Sequence, residues 1–319
     1  MNKFARRFTK QPATAIGLGE VLWDFLPSGK QIGGAPANFA YMANLLGDRG
    51  LVASKVGTDE LGKEIREAIQ ALNLDAAYVQ DDASHPTGTV SVQIDPGGQP
   101  RYKIQDCVSW DFLEWTADWE TLASQADVVC FGSLAQRSAS SRATIRRFLH
   151  AAKKALRIYD LNFRESFYAK EVVWESFQLA HIAKLNAEEL SIVSDLFNID
   201  GSSEIQQVIN LRRMFDLELI CLTRGANGSF LVSEHEFVEH MGLRVEVADT
   251  VGAGDAFTAC MAHLYIRGEP LGTISEAANR FAAWVTTQVG ATPSMQDVEL
   301  RDVLHGLATS VDRLFETRE

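Results

Sequence analysis

The stretch Asp249-Thr250-Val251-Gly252-Ala253-Gly254-Asp255-Ala256-Phe257 places three small residues in front of an apolar helical pattern. That pattern continues through Ala259, Met261, Ala262, Leu264 and Tyr265. Small residues at a helix start leave backbone N–H groups bare, and those donors together with the helix dipole favour an anion. Asp255 lies just inside the turn, beside the place an anion would take. If the anion is a phosphate, Asp255 can accept the proton of an attacking hydroxyl. The amides of Ala253, Gly254 and Asp255 then hold the charge that develops on the transferring phosphoryl group. An acid in a first helical turn is also ordinary capping. It is the whole D-T-x-G-A-G-D string that makes the pattern specific.

Further toward the N-terminus, Gly33-Gly34-Ala35-Pro36-Ala37-Asn38 leads into a second helical pattern that stops at Leu46-Gly47. Paired glycines let a backbone come close to a ligand, Pro36 suits a first helical turn, and Gly47 suits the position just past a helix end. Asn38 can both donate and accept, as recognition of hydroxyl groups requires.

Between these two stretches, short apolar runs alternate with amphipathic ones. Strands are expected at 14–19, 51–56, 127–132, 156–161, 181–185 and 217–223, and helices at 60–72, 139–153 and 204–215. Such alternation argues for a parallel sheet with helices on both faces. Several expected strands end in polar residues, Asp160, Asn162, Asn186 and Thr223. Open α/β sheets bind ligands at the carboxyl ends of their strands, so these residues rim a candidate site. Two stretches break the alternation. Residues 88–95 place Val90, Val92 and Ile94 on one face, a Pro96-Gly97-Gly98-Gln99 turn follows, and residues 100–104 complete a hairpin. Residues 20–25 add strand to it, giving a small β lid on the α/β body.

The bulk numbers bound the function. Of 319 residues, 46% are hydrophobic and 23% charged, an ordinary globular balance with no need of a disulfide or metal staple. The formal net charge of −12 repels nucleic acid and anionic lipid, so neither is an expected partner. Cys107, Cys130, Cys221 and Cys260 form no C-x-x-C pair and are expected to be buried free thiols in a reducing cytoplasm. Residues 1–10 are basic but precede no apolar signal segment, and 1–11 are expected to fray.

These residues resemble the ribokinase/PfkB family of carbohydrate kinases, from Gly17 to about Ser294. One signature runs through Gly33, Gly34 and Asn38 to Gly47 and Gly57, and the other is the Asp249–Asp255 string. Residues 19–24, 33–38, 160–164 and 290–294 look most like fructokinases. The resemblance implies a three-layer α/β/α ribokinase-like fold with a mainly parallel central sheet. It implies one domain over 1–319, with lid segments near 20–35 and 86–108. It also implies transfer of the γ-phosphoryl of Mg-ATP to a sugar hydroxyl, most like fructose to fructose 6-phosphate. Asp255 would be the base, Gly252, Ala253 and Gly254 the anion loop, and Arg164 a charge on the transferring group. Asp24, Gly33, Gly34, Asn38 and Asn162 would bind sugar. Lys184, Asn186, Thr223, Arg224, Gly225, Gly228 and Asn279 would line the nucleotide. Glu189, in an N-x-x-E pattern with Asn186, would orient the water shell of Mg²⁺. A monovalent cation, K⁺, would sit at Asp249, Val251, Val285, Gly290 and Ser294. Relatives dimerise through their lids, and the apolar face of the hairpin suggests the same here. Trp284 and Phe163 depart from the family's usual residues.

Other acceptors remain open within this class: ribose, 2-keto-3-deoxygluconate or a nucleoside. A non-catalytic sugar sensor would have lost the base or the anion loop, and both are intact. Gly17-x-Gly19 lacks the third glycine of a dinucleotide fingerprint, and no P-loop string occurs. His235 and His240 lie in an acidic patch that reads as a solvated strand or turn.

Overall fold

The computed structural model describes residues 12–26, 29–94, 100–295, 300 and 303–304. The expected frayed tail and the turn at 96–99 lie outside the described residues. The strands are β1 (Thr14–Leu18), β2 (Leu22–Leu26), β3 (Gly29–Gly33), β4 (Arg49–Gly57), β5 (Val79–Asp82), β6 (Thr89–Ile94), β7 (Pro100–Ile104), β8 (Val128–Phe131), β9 (Leu156–Asp160), β10 (Ile182–Asn186), β11 (Leu219–Thr223), β12 (Ser229–Ser233) and β13 (Phe237–His240). Among the described residues they form two sheets. One has nine strands in the order β13-β12-β11-β10-β9-β8-β1-β4-β5, and the other has four in the order β3-β2-β6-β7. From β11 to β5 the large sheet is parallel, while β12 and β13 are added antiparallel.

Strands buried on both faces read as continuous apolar runs, which is why the central ones were visible in the sequence. Their alternate residues feed two separate cores. Ala15, Val52, Val128, Ile158 and Leu219 face Phe39, Phe257, Phe281 and Trp284. Ile16, Leu51, Val129, Tyr159 and Ile220 face Trp119, Phe148, Phe177 and Val208. The result is the three-layer α/β/α arrangement. Trp284, a departure from the family pattern, is 1% exposed and stacks on Phe281, so it is core.

The helix Ala35–Leu45 lies against the sheet backbone to backbone. A Cβ on Gly17 would fall 1.8 Å from the Pro36 carbonyl oxygen, and one on Gly50 would fall 1.9 Å from that of Ala40. Only glycine permits that approach. The helix carries Asn38 on its first turns, so this contact fixes where Asn38 stands.

The small sheet is the expected lid. Strand β2 pairs antiparallel with β3 and parallel with β6, and β6 pairs antiparallel with β7. Trp23 ties it to the body by donating from Nε1 to the Leu61 carbonyl at 3.0 Å, and Lys30 pairs with Glu64. Val90 is buried with Ile104 and Trp110, whereas Phe25 on β2 is exposed. The side chains of Val92 and Ile94 lie outside the described residues. The thiols also need one correction: Cys130, Cys221 and Cys260 are buried but Cys107 is exposed, where it follows the end of β7. No helix among the described residues is long and apolar enough to cross a membrane.

Asp48 locks the amino-terminal edge of the sheet. It accepts from the Ala13 amide at 3.1 Å, His263 Nδ1 at 2.7 Å and Arg267 Nη2 at 2.6 Å. Burial alone would raise its carboxyl, but the His263 and Arg267 hydrogen bonds hold it below the usual carboxylate range. Removing one partner of a buried, charge-paired set costs about 3 kcal/mol. Urea unfolding at neutral pH is expected to show that loss for Asp48→Ala. A depressed carboxyl contributes above its unfolded pKa and stops contributing once protonated. The gap between wild type and variant should therefore close as pH falls through the folded pKa of Asp48.

Candidate active site

Parallel strands β9 and β10 place Asp160 and Lys184 side by side in register. Lys184 Nζ donates to Asp160 Oδ1 at 3.1 Å, with the two side chains 8% and 5% exposed. Burial favours the neutral amine, but Asp160, Glu189 and Asp255 outweigh it and hold the ammonium charged. Across from this pair the helix Ala253–Tyr265 begins. Thr258 Oγ1 donates to Asp160 Oδ2 at 2.8 Å, and a Cβ on Gly254 would lie 2.8 Å from Lys184 Nζ. One ammonium thus sits against the glycine turn, held by an acid that also holds the helix.

Gly252 caps that helix with φ 80°, a left-handed conformation. Asp255 is half-buried in the first turn and accepts from Asn38 Nδ2 at 2.8 Å. Burial, and secondly the charge of Asp160, raise its carboxyl to about 6, against the opposing pull of Asn38, Lys184 and Arg164. At neutral pH it is mostly ionised and able to take a proton.

The residues expected for the sugar gather on the other side of Asp255. A Cβ on Gly33 would fall 2.1 Å from Asp24 Oδ2, so this glycine makes room for the β2 carboxylate. Burial raises Asp24 to about 6, and Arg164 opposes the rise. Arg164 is exposed, and Nη1 donates to the Phe163 carbonyl at 3.0 Å. Asn162 follows β9 in a left-handed conformation, φ 42°.

Glu189 is buried at the start of the helix Ala187–Phe197, in a capping box with Asn186. Its Oε1 accepts from the Phe163 amide at 2.9 Å and Oε2 from the Asn186 amide at 2.8 Å. Burial raises this carboxyl and the charge of Lys184 opposes it. Each oxygen keeps a lone pair beyond its amide. Among the described residues no cluster of three His, Cys, Asp or Glu side chains could hold a metal directly. The donor set therefore fits a hydrated divalent ion, touched through water, better than a dehydrated one.

Among the residues expected for the nucleotide, Thr223 ends β11 and Gly225 begins a short turn in which the Arg224 amide donates to the Gly228 carbonyl at 2.8 Å. The Arg224 side chain is turned into the neighbouring strands, over Phe230 and toward Glu239. Asn279 Nδ2 is occupied by Ser229 Oγ and the Ser275 carbonyl at 2.8 and 2.7 Å. Both side chains brace the loop in this arrangement.

Of the residues expected for a cation, Asp249, Val251 and Gly290 meet at one loop crossing. Asp249 Oδ1 accepts from the Val251 amide at 3.0 Å and Oδ2 from the Gly290 amide at 3.1 Å. The Val285 carbonyl accepts from Gln288 N, and Ser294 is exposed nearby in sequence, after Pro293, whose carbonyl accepts from Tyr41. Three buried polar residues of the site went unassigned in the sequence: Asp160 as partner of Lys184, Thr258, and Glu20. The signal for Glu20 was present, as a lone acid within the apolar run 15–23.

A family model described as "pfkB family carbohydrate kinase" matches residues 28–298. The chain belongs to the PfkB family of carbohydrate kinases. It is an ATP-dependent phosphotransferase with a ribokinase-like fold. This kinase is 32% identical to a fructokinase of Klebsiella pneumoniae over 79% of the chain and 85% of the relative. An uncharacterized sugar kinase of Pyrococcus horikoshii, solved in complex with ATP, superposes with TM-score 0.76 at 27% identity, covering 91% of this kinase and 99% of the other. A double mutant of the fructokinase from Vibrio cholerae O395, in a form bound to fructose, ADP and potassium, superposes with TM-score 0.78 at 22% identity, covering 93% and 100%.

The glycine turn can be tested directly. A Cβ on Gly252 would lie 2.8 Å from Ala291 Cα, and a left-handed alanine costs roughly 1–2 kcal/mol before any clash. Gly252→Ala is expected to lower the thermal midpoint and to cut kinase turnover more than about tenfold. Calorimetry alongside a coupled assay would check both.

Proposed function

We propose that this kinase phosphorylates D-fructose at the 6-hydroxyl, using Mg-ATP. The observation that carries the reading is one arrangement: an ionisable Asp255 held by Asn38, at a helix start that no side chain caps, with the Lys184 ammonium against the same turn. Similarity to the K. pneumoniae fructokinase supports the choice of sugar.

In this reading the sugar lies under the lid against Asp24, Gly33, Gly34, Asn38 and Asn162. Asp255 takes the proton as the hydroxyl oxygen bonds to the γ-phosphorus, and the bond from that phosphorus to the bridging oxygen of ADP breaks. The amides of Ala253, Gly254 and Asp255, with Lys184 and Arg164, stabilise the charge on the phosphoryl oxygens. Bound Mg²⁺ supplies further neutralisation of the phosphates, and Glu189 orients its water shell. Asn186, Thr223, Arg224, Gly225, Gly228 and Asn279 border the nucleotide. Asp249, Val251, Val285, Gly290 and Ser294 would hold K⁺. Lid closure excludes water, which otherwise competes as acceptor. The chain acts as one domain over 1–319, with lid segments 20–35 and 86–108, and pairs through the outer lid surface around Phe25 as a cytoplasmic homodimer.

A coupled assay with Mg-ATP over fructose, ribose, 2-keto-3-deoxygluconate and nucleosides is expected to give the highest kcat/KM for fructose. A clear preference for another acceptor would reassign the substrate. Asp255→Asn is expected to lose more than about 100-fold in kcat while sugar affinity changes little. Since an ionised base is required and Asp255 is raised to about 6, wild-type kcat/KM should fall as pH drops below about 6. A flat profile from pH 5 to 8, or an active Asp255→Asn enzyme, would remove Asp255 from the role of base.

A further inference from the structure

Glu20 stands between β1 and β2, next to residues assigned to the acceptor but with no assigned task. It is 3% exposed, and its Oε2 has no hydrogen-bond partner. The Asn38 Oδ1, on a residue 5% exposed, is likewise unpartnered. Both are acceptors. They lie on either side of the glycine pair: a Cβ on Gly34 would fall 2.5 Å from the Glu20 carbonyl oxygen, and the Asn38 amide donates to the Gly34 carbonyl at 3.0 Å. Asn38 holds Asp255 through its other side-chain atom. The charge of Arg164 lowers Glu20, Asp24 and Asp255, so all three acids lie within reach of that guanidinium's field.

A structural role for Glu20 would be to anchor a cation. Two guanidinium groups are near enough for their charge to be felt, yet Glu20 Oε2 bonds neither, although Arg137 Nη1 is itself without a hydrogen-bond partner. Arg137 donates to both Asp111 oxygens and to the Gln105 carbonyl, and Arg164 donates to the Phe163 carbonyl. Buried polar groups are almost always paired, and an exception asks for a partner that arrives later. Burial raises the Glu20 carboxyl to about 7, against the opposing hydrogen bond from its own backbone amide and the charge of Arg164.

We propose that Glu20 is a further acceptor-binding residue, whose Oε2 receives a sugar hydroxyl while Asn38 Oδ1 receives a second. The acceptor is therefore a polyol that offers O–H donors at two positions besides the one phosphorylated. A sugar lacking either hydroxyl leaves a buried oxygen unpaired, and a site built to bond a hydroxyl rejects such an analogue strongly.

This inference rests on the kinase reading and is tested with the best acceptor of the panel together with its monodeoxy analogues. Glu20→Ala is expected to raise the KM for sugar at least about tenfold and that for ATP less than about twofold. At least one monodeoxy analogue that wild type disfavours should be used by Glu20→Ala as well as the parent sugar is. Glu20→Gln keeps an acceptor oxygen, so it should retain that discrimination with a KM raised only about threefold. It also serves if the alanine variant fails to fold. Wild-type protein that phosphorylates no acceptor would overturn the kinase reading and this inference together. An active wild type would overturn this inference alone if the variants left the sugar KM unmoved, shifted both KM values equally, or kept every deoxy penalty while Glu20→Ala folded. The same holds if Glu20→Gln, as the only folded variant, lost the discrimination entirely.

Discussion

An ammonium cannot be buried in a sheet unless acids surround it, and the position of Lys184 is the constraint on which the site depends. Desolvating a lone charge costs several kcal/mol. Here Asp160 on the adjacent strand meets the ammonium directly, and the charges of Glu189 and Asp255 add to it. Asp160 spends its second oxygen on Thr258, which ties the pair to the helix Ala253–Tyr265. The same group of charges therefore sets the sheet register, the docking of that helix and the potential felt at its glycine turn.

Asp255 shows the other side of this coupling. Its neighbour Asp160 disfavours ionisation, whereas Asn38, Lys184 and Arg164 favour it. The balance leaves a carboxyl raised but still charged near neutrality, which suits the proposed role of general base. The glycine turn adds donors rather than net charge, so the site can favour phosphate although the whole chain is strongly acidic.

Much of this was legible in the sequence because the relevant signals are local. Buried parallel strands declare themselves as unbroken apolar runs, and β1, β4, β8, β9, β10 and β11 were found within a few residues of their bounds. The glycine turn, the Asn186 capping box and the lid hairpin also follow from neighbouring residues. Strands β5, β12 and β13 were missed. β5 and β13 are short, polar edge strands whose identity depends on a partner distant in sequence, as β5 depends on β4. β12 is buried but antiparallel, outside the βα rhythm. Charge partnership was equally hidden. Nothing near Lys184 in the chain announces Asp160, 24 residues away, and Glu20 is recognisable only once Oε2 is found without a donor.

The contact between the helix Ala35–Leu45 and the sheet has a consequence for how such an enzyme could change its diet. At Gly17 and Gly50 the two layers touch with no side chain between them. The wall bearing Asn38 thus has no adjustable spacer, since even one methyl group would pry the layers apart. If the acceptor lies as proposed, room for a bulkier one has to come from the opposite wall, where β2 and β3 lie outside the main sheet. Divergence in what is phosphorylated should then be written in the small sheet, while the helix floor stays as it is.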